Sequence, residues 1–314
     1  MRAVFQYAEV VSAVRQPVLI TGETGVGKEL MARAIHQLSA VKGDFVAVNV
    51  AGLDDNMFSD SLFGHKKGAF TGAEQPREGL IRKAAGGTLF LGEIGGLAGP
   101  SQVKLLRLLQ GGEYFQVGSD SIKKSDARVV VATNRNLREE MQAGRFRSDL
   151  YYRLCTHTIE LPPLRERSED IQLLTLHLVE EAARAYGKQP PLLSAELLVQ
   201  LRALPYPGNV RELQGLVLDA MARHQEGLLT CEHFRLRQEQ NSPVIPTGGN
   251  EPLLSLFGHF PSFHEIEDYL IDEALKLSSG NHNLAASLLG ITRQTITNRL
   301  KARTGDKPKV DQTG

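Results

Sequence analysis

The run Pro17-Val-Leu-Ile-Thr21-Gly22-Glu23-Thr24-Gly25-Val26-Gly27-Lys28-Glu29 leads from an apolar strand through a glycine-rich turn into a helix. Its glycines let the backbone curl so that successive N–H groups point at one phosphate, and the helix start adds its positive end. G-x-x-x-x-G-K between a strand and a helix is the context a phosphate-binding loop requires, with Lys28 reaching the β- and γ-phosphates of ATP. Gly22, Glu23, Thr24, Gly25, Val26, Gly27, Lys28 and Glu29 are therefore read as the nucleotide-binding residues. The hydroxyl residue that usually follows the lysine and touches Mg²⁺ is replaced by Glu29.

Outward from this loop, the first half alternates short apolar runs with helical spacing, which predicts an α/β domain on a mainly parallel sheet. Strands are read over 17–21, 45–50, 88–91 and 128–133, and their near-continuous apolar character predicts burial of both faces. Helices are read over 29–38, 102–110 and 137–143. Gly86-Gly-Thr-Leu-Phe-Leu91-Gly92-Glu93 is a second nucleotide motif, in which a strand end delivers Glu93 to polarise the attacking water. The acidic residue expected just before it is Gly92, which has no side chain to organise an Mg²⁺ shell.

After Pro162-Pro163 the pattern turns to helices alone, over 169–186, 194–204 and 209–224. Residues 239–261, rich in proline and weak in periodicity, read as a linker, and three short helices follow over 263–278, 283–289 and 292–303. The expected division is a nucleotide-binding domain at 1–163, a helical lid at 164–238, the linker, and a small all-α module at 262–314.

The 314 residues exceed one typical core, and 41% hydrophobic content with 23% charged describes folded domains, not a disordered chain. No apolar run is long enough to cross a membrane and no secretory signal opens the chain, so a cytoplasmic address is expected. Cys155 and Cys231 are read as isolated thiols, and the histidines lack metal-ligand spacing. Lys plus Arg balances Asp plus Glu at 36 each, yet the charge is uneven near the end. Residues 281–314 hold six bases against Asp306 and Asp311, whereas 262–280 hold five acids against Lys276. A neutral protein with a basic tip is expected to touch phosphates there.

Gly68-Ala-Phe-Thr-Gly-Ala73, preceded by Leu62-Phe-Gly-His65, resembles the GAFTGA loop of sigma-54-dependent transcriptional activators, the bacterial enhancer-binding proteins. Other pieces of that family follow in order: the phosphate loop, Ala132-Thr-Asn134, Phe146-Arg-Ser-Asp-Leu-Tyr-Tyr-Arg153, Leu161-Pro-Pro-Leu-Arg-Glu-Arg167 and Tyr206-Pro-Gly-Asn-Val-Arg-Glu-Leu213. The resemblance spans nearly the whole chain and implies an AAA+ P-loop three-layer αβα domain with a helical lid. It implies that Gly68, Ala69, Phe70, Thr71, Gly72 and Ala73 contact sigma-54. Thr133 and Asn134 then sense the γ-phosphate, Arg147 and Arg153 serve the neighbouring subunit as arginine fingers, and Arg211 is the lid sensor. Asn49 is implied to hold the catalytic Glu93 until sigma-54 is engaged. Lys28 and Glu93 complete the set, in a hexameric or heptameric ring hydrolysing ATP with Mg²⁺.

The segment 283–300 reads as helix, glycine turn, helix, and resembles the Fis-type helix-turn-helix that ends many enhancer-binding proteins. Ala285, Ala286, Leu288, Leu289, Ile291, Ile296 and Leu300 form its expected inward face, and Thr292 is placed to cap the second helix. Arg293, Gln294, Thr297, Asn298 and Lys301 remain outward to meet double-stranded DNA. The helix over 263–278 is expected to dimerise the module. Gly92, Gly96 and Gly111 stand where the family has acids, and Ser61 replaces a Glu. The chain opens close to its first strand, so a receiver or sensory domain and part of the adenine-holding segment are expected to lie outside it. The two readings are an activator that remodels the sigma-54 RNA polymerase closed complex by ATP hydrolysis, and a DNA-binding regulator using ATP for assembly with little turnover. A generic AAA+ chaperone or helicase does not account for GAFTGA or the helix-turn-helix.

Overall fold

The computed structural model describes residues 1–234, 262–278 and 281–305; the expected linker, 239–261, lies outside them. The elements of the first part are α1 (Arg2–Ser12), β1 (Val18–Thr21), α2 (Lys28–Leu38), β2 (Phe45–Asn49), α3 (Asp55–Phe63), β3 (Gly64–His65), β4 (Arg77–Glu78), α4 (Leu80–Lys83) and β5 (Thr88–Gly92). There follow α5 (Gly99–Gly111), β6 (Glu113–Phe115), β7 (Ile122–Lys124), β8 (Arg128–Thr133), α6 (Leu137–Gln142), α7 (Ser148–Leu154) and β9 (Thr158–Glu160). The main sheet has five parallel strands in the order β2-β5-β8-β1-β9.

Alternation along the strands divides the core into two layers. Leu19, Leu89, Leu91, Val129 and Val131 meet α3, α5 and α7 on one side, against Phe58, Leu105 and Leu150. Val18, Ile20, Phe90, Val130 and Ala132 meet α1 and α2 on the other, against Val11, Met31 and Ile35. Arg128 ties α1 to the sheet: its buried guanidinium donates to the Val11 and Ser12 carbonyls at 2.8 and 2.7 Å, at the negative end of that helix. β2 departs from the expectation of two buried faces. Among the described residues it is an edge strand paired only with β5, and Ala47 and Asn49 are exposed.

The lid comprises α8 (Asp170–Ala185), α9 (Ala195–Ala203) and α10 (Asn209–Arg223) around Leu178, Leu197, Leu213, Val217 and Met221. It is bolted to the phosphate loop by polar contacts. Arg165 donates to both oxygens of Glu23 at 2.6 and 2.9 Å, Arg167 to the Val26 carbonyl at 2.8 Å, and the Val210 amide to the Gly25 carbonyl at 3.1 Å. A Cβ on Gly25 would lie 2.3 Å from the Gly208 carbonyl, so only glycine permits this approach. Asn209, buried at φ 55°, donates to Glu23 Oε2 and the Thr24 carbonyl, both at 3.0 Å, and accepts the Leu164 amide at 2.7 Å. Asparagine tolerates this left-handed backbone better than most residues do.

The C-terminal module forms a unit of its own, with α11 (Phe263–Leu277), α12 (His282–Leu289) and α13 (Arg293–Gly305). Ser262 and Glu265 close a capping box at the start of α11. The core is Ile271, Ala274, Ala285, Ala286 and Ile296, with Leu289 and Leu300 packed beside it. Leu288 and Ile291, expected inside, are exposed. Ala274 of α11 and Ala285 and Ala286 of α12 share this core, and Leu289, three residues on from Ala286 and so on the same helix face, joins them in place of Leu288.

Two outcomes test these contacts. Tyr206 is 0% exposed and its hydroxyl has no hydrogen-bond partner among the described residues. Tyr206→Phe removes a desolvated polar group, and we expect urea denaturation to show about 1 kcal/mol of added stability. Arg165, and then Asn209, hold the Glu23 carboxyl down from 4.5 to about 2. A depressed carboxylate stabilises the fold above its unfolded pKa and loses that contribution as the pH falls through its folded one. Glu23→Gln is therefore expected to lower the unfolding temperature near neutral pH, and the gap to the parent should close as the pH falls from 4.5 toward 2.

Candidate functional site

The carboxyl ends of adjacent strands converge on one cleft of about 1130 Å³. β1 delivers the phosphate loop, β5 delivers Glu93, β8 delivers Thr133 and Asn134, and α10 brings Arg211 over the top. This is where an open parallel sheet accepts ligands.

Gly22, Gly25 and Gly27 have φ of 144°, 81° and 105°, a path closed to most side chains. The amides of Gly25, Val26 and Gly27 donate to no acceptor among the described residues, and α2 starts behind them. An array of unspent donors at a helix start fits a phosphate. Lys28 lies across the loop, its side chain 9% exposed, donating to the Gly22 and Glu23 carbonyls at 2.9 and 3.1 Å and lying 3.5 Å from Glu93 Oε1. Burial draws its pKa below the usual lysine range; Glu93 opposes this and Arg211 adds to it.

Glu93 takes the left-handed conformation at φ 62°, a cost accepted mainly at functional positions. Its Oε2 accepts the Asn134 amide at 3.2 Å, and the Asn134 side chain donates to Thr24 Oγ1 at 3.1 Å. Thr133 is buried and accepts the Arg135 amide at 3.0 Å. Lys28, Glu93, Asn134 and Thr24 thus form one connected group. Asn49 lines the same cleft, but its Oδ1 accepts the Ala51 amide at 3.0 Å; Glu93 is held by Lys28 and Asn134 instead.

The carboxylates lining the cleft are Glu29 and Glu93. Glu29 is paired with Arg33 along α2 at 2.7 Å, and Glu93 is engaged as described. The donor set therefore does not fit an Mg²⁺ ion held by protein side chains in the usual way. A Cβ on Gly92 would meet nothing closer than Phe90 Cε1 at 3.6 Å, so a side chain can stand there without a clash.

Arg147 and Arg153 lie away from this cleft. Arg147 forms a two-point pair with Asp149 at 3.0 and 2.7 Å, and Arg153 donates to the Leu109 carbonyl at 3.2 and 2.9 Å. The GAFTGA loop springs from α3 through β3 and returns through β4, whose pairs are Gly64 with Glu78 and His65 with Arg77. Gly68 and Gly72 have φ of 79° and 100°, and the Gly68 amide donates to the Ala73 carbonyl at 2.8 Å across the turn. Phe70 is 48% exposed, with its ring edge-on to His65 at 5.0 Å. His65 is fixed from both sides, by Asp60 at 2.5 Å and the Gln75 carbonyl at 2.9 Å.

In the C-terminal unit, Arg293, Gln294 and Asn298 are exposed on α13, and the Thr297 hydroxyl donates to the Arg293 carbonyl at 3.0 Å. Thr292 Oγ1 accepts the Thr295 amide at 3.3 Å, the cap expected from sequence. The Lys301 side chain lies outside the described residues. Arg165 and Asn209, which hold the phosphate loop to the lid, escaped the sequence reading of roles, although both lie inside quoted motifs.

Residues 1–160 match the family model described as Sigma-54 interaction domain, 165–248 the AAA+ ATPase lid domain, and 262–302 Bacterial regulatory protein, Fis family. The chain is 43% identical over 310 residues to Regulatory protein LuxO of Vibrio cholerae, covering 95% of this chain and 58% of that protein. It is 40% identical over 318 residues to DNA-binding transcriptional regulator NtrC of Salmonella typhimurium, covering 96% and 68%. A crystal structure of NtrX from Brucella abortus in complex with ADP superposes with a TM-score of 0.71 at 27% identity, over 96% of this chain and 67% of that one. The chain spans under two thirds of LuxO, and likewise 56% of Nitrogen fixation protein VnfA of Azotobacter vinelandii. With the sheet order, the glycine-rich loop and the GAFTGA hairpin, these matches place the chain in the family of sigma-54-dependent transcriptional activators.

Proposed function

We propose that this chain binds ATP in the Lys28 cleft, assembles into a ring of six or seven protomers, and spends hydrolysis on remodelling the sigma-54 RNA polymerase closed complex. The observation that carries the reading is the connected group of Lys28, Glu93, Asn134 and Thr24 beside unspent loop amides. A triphosphate that takes the amides and the Lys28 ammonium frees Glu93 to orient a water. That water attacks the γ-phosphorus and passes its proton to Glu93, the bond to the β-phosphate oxygen breaks, and ADP and inorganic phosphate leave, after which Glu93 returns the proton to solvent. Arg147 and Arg153, remote from their own cleft, suit a neighbour's site, where an arginine in trans contributes about 10³ to 10⁵ in rate.

Phe70 and Thr71 sit at the tip of a loop with glycine hinges, the part that grips sigma-54 in this reading. The exposed face of α13 reads double-stranded enhancer DNA, and the exposed Leu270, Leu277, Leu284 and Leu288 suit dimerisation of the module. The regulator works in the cytoplasm. Among the described residues no helix is long and apolar enough to cross a membrane.

The second reading, ATP as an assembly ligand with little turnover, is favoured by Gly92 and by the engagement of both cleft carboxylates. Steady-state phosphate release separates the two. Gly92→Asp is expected to raise turnover by about 10²-fold, the scale of one preorganised electrostatic group. A parent rate equal to that of Lys28→Ala, with recovery in Gly92→Asp, would establish the second reading for the natural sequence. Thr71→Ala should bind a fluorescent ATP analogue as the parent does and yield no open complex in promoter-melting assays; normal melting removes the proposed role of the loop.

A further inference from the structure

Gln102 sits inside α5 and is 1% exposed, a place where an amide side chain is costly unless fully bonded. Its Nε2 donates to the Leu97 carbonyl and to the Arg145 carbonyl, both at 2.9 Å, and its Oε1 accepts the Arg147 amide at 2.8 Å. The orientation is forced, because a flipped amide would set nitrogen against N–H and oxygen against two carbonyls. One side chain thereby joins two segments far apart in sequence. Leu97 closes the short turn that begins at Glu93, and residues 145–147 lead into α7.

The rest of α5 extends the connection. At its far end the Leu109 carbonyl accepts the Arg153 guanidinium, so both arginines outside the cleft are anchored on this helix. Midway, Lys104 reaches Asp55 and Ser59, both at 2.7 Å, on the helix that carries the GAFTGA hairpin. Arg147 presents its side chain to solvent and to Asp149, while its backbone amide is held from within by Gln102 and its carbonyl accepts the Tyr151 amide of α7 at 3.0 Å.

We propose that Gln102 is the positioning residue for Arg147: it registers the arginine that a protomer offers its neighbour to the turn carrying its own Glu93. The proposal rests on the ring-ATPase reading and deepens it. A defect at Gln102 should accordingly appear in the next protomer's site and not in its own.

The test uses the full chain with Gly92→Asp as parent. Gln102→Met keeps the volume and removes all three bonds. Its affinity for a fluorescent ATP analogue should equal the parent's, while turnover falls about 10²-fold, the scale of a small misplacement at a reacting centre. Mixing it with Lys28→Ala protomers, which bind no nucleotide but offer intact arginines, should restore hydrolysis above the sum of the separate preparations. No gain on mixing, or affinity falling together with turnover, overturns the proposal. Amide hydrogen exchange gives a readout independent of turnover: residues 145–149 should exchange about tenfold faster or more in Gln102→Met, with 22–29 unchanged. Unchanged exchange at 145–149 overturns the proposal even if the parent never hydrolyses ATP, an outcome that would instead sink the ring reading. If Gln102→Met fails to fold, Gln102→Glu, which keeps the acceptor for the Arg147 amide and loses both donors, is judged by the same mixing criterion.

Discussion

A desolvated ammonium has to be compensated, and at the centre of this protein the compensation comes from parts of the loop it serves. Lys28 rests on two carbonyls of its own phosphate loop and beside Glu93, three partners supplied by the ends of two strands. The parallel register of β1, β8 and β5 makes that possible, since it brings Thr21, Thr133 and Gly92 to the same edge of the sheet. Each of these partners is one that a phosphate can displace.

From this centre the structure branches in two directions. The lid is attached through Glu23, Thr24, Gly25 and Val26, so every residue of the loop between its first and last glycines has a partner in the helical region. A displacement of the loop is therefore carried directly to these lid contacts. On the other side the Glu93 turn runs into α5, which holds the backbone of Arg147, the guanidinium of Arg153 and, through Lys104, the helix below the GAFTGA hairpin. Packed helices and full hydrogen bonding make such connections stiff, and a small shift at one end arrives at the other.

The α/β pattern and the loop were legible because buried parallel strands are almost purely apolar and glycine spacing is specific to phosphate cradles. Arg128–Thr133 formed as read, whereas β9, only Thr-Ile-Glu, was invisible because two of its three residues are polar and exposed. The edge position of β2 could not be read from Phe45–Asn49, since strand order depends on tertiary pairing. Gathering of Lys28, Glu93 and Asn134 followed from motif order. The tie between Asn209 and Glu23 did not, because it joins residues far apart along the chain through an unusual backbone conformation. The same holds for Gln102, which in sequence is one polar residue in an amphipathic helix. In the C-terminal unit, helical periodicity located the helices but not which of Leu288 and Leu289 faces inward, where the alanines decide.

The edge-on contact of Phe70 with His65 sets how firmly the tip of the hairpin is stowed. Aromatic pairs of this kind contribute about 0.5 to 1.5 kcal/mol, against thermal energy of about 0.6, so this contact alone weights an equilibrium at the tip by roughly two- to twelvefold. A bias that shallow is within reach of any ligand with modest preference for one arrangement. In the proposed remodelling reading the hairpin is then a latch on a light spring, set on the helix that Lys104 ties to α5.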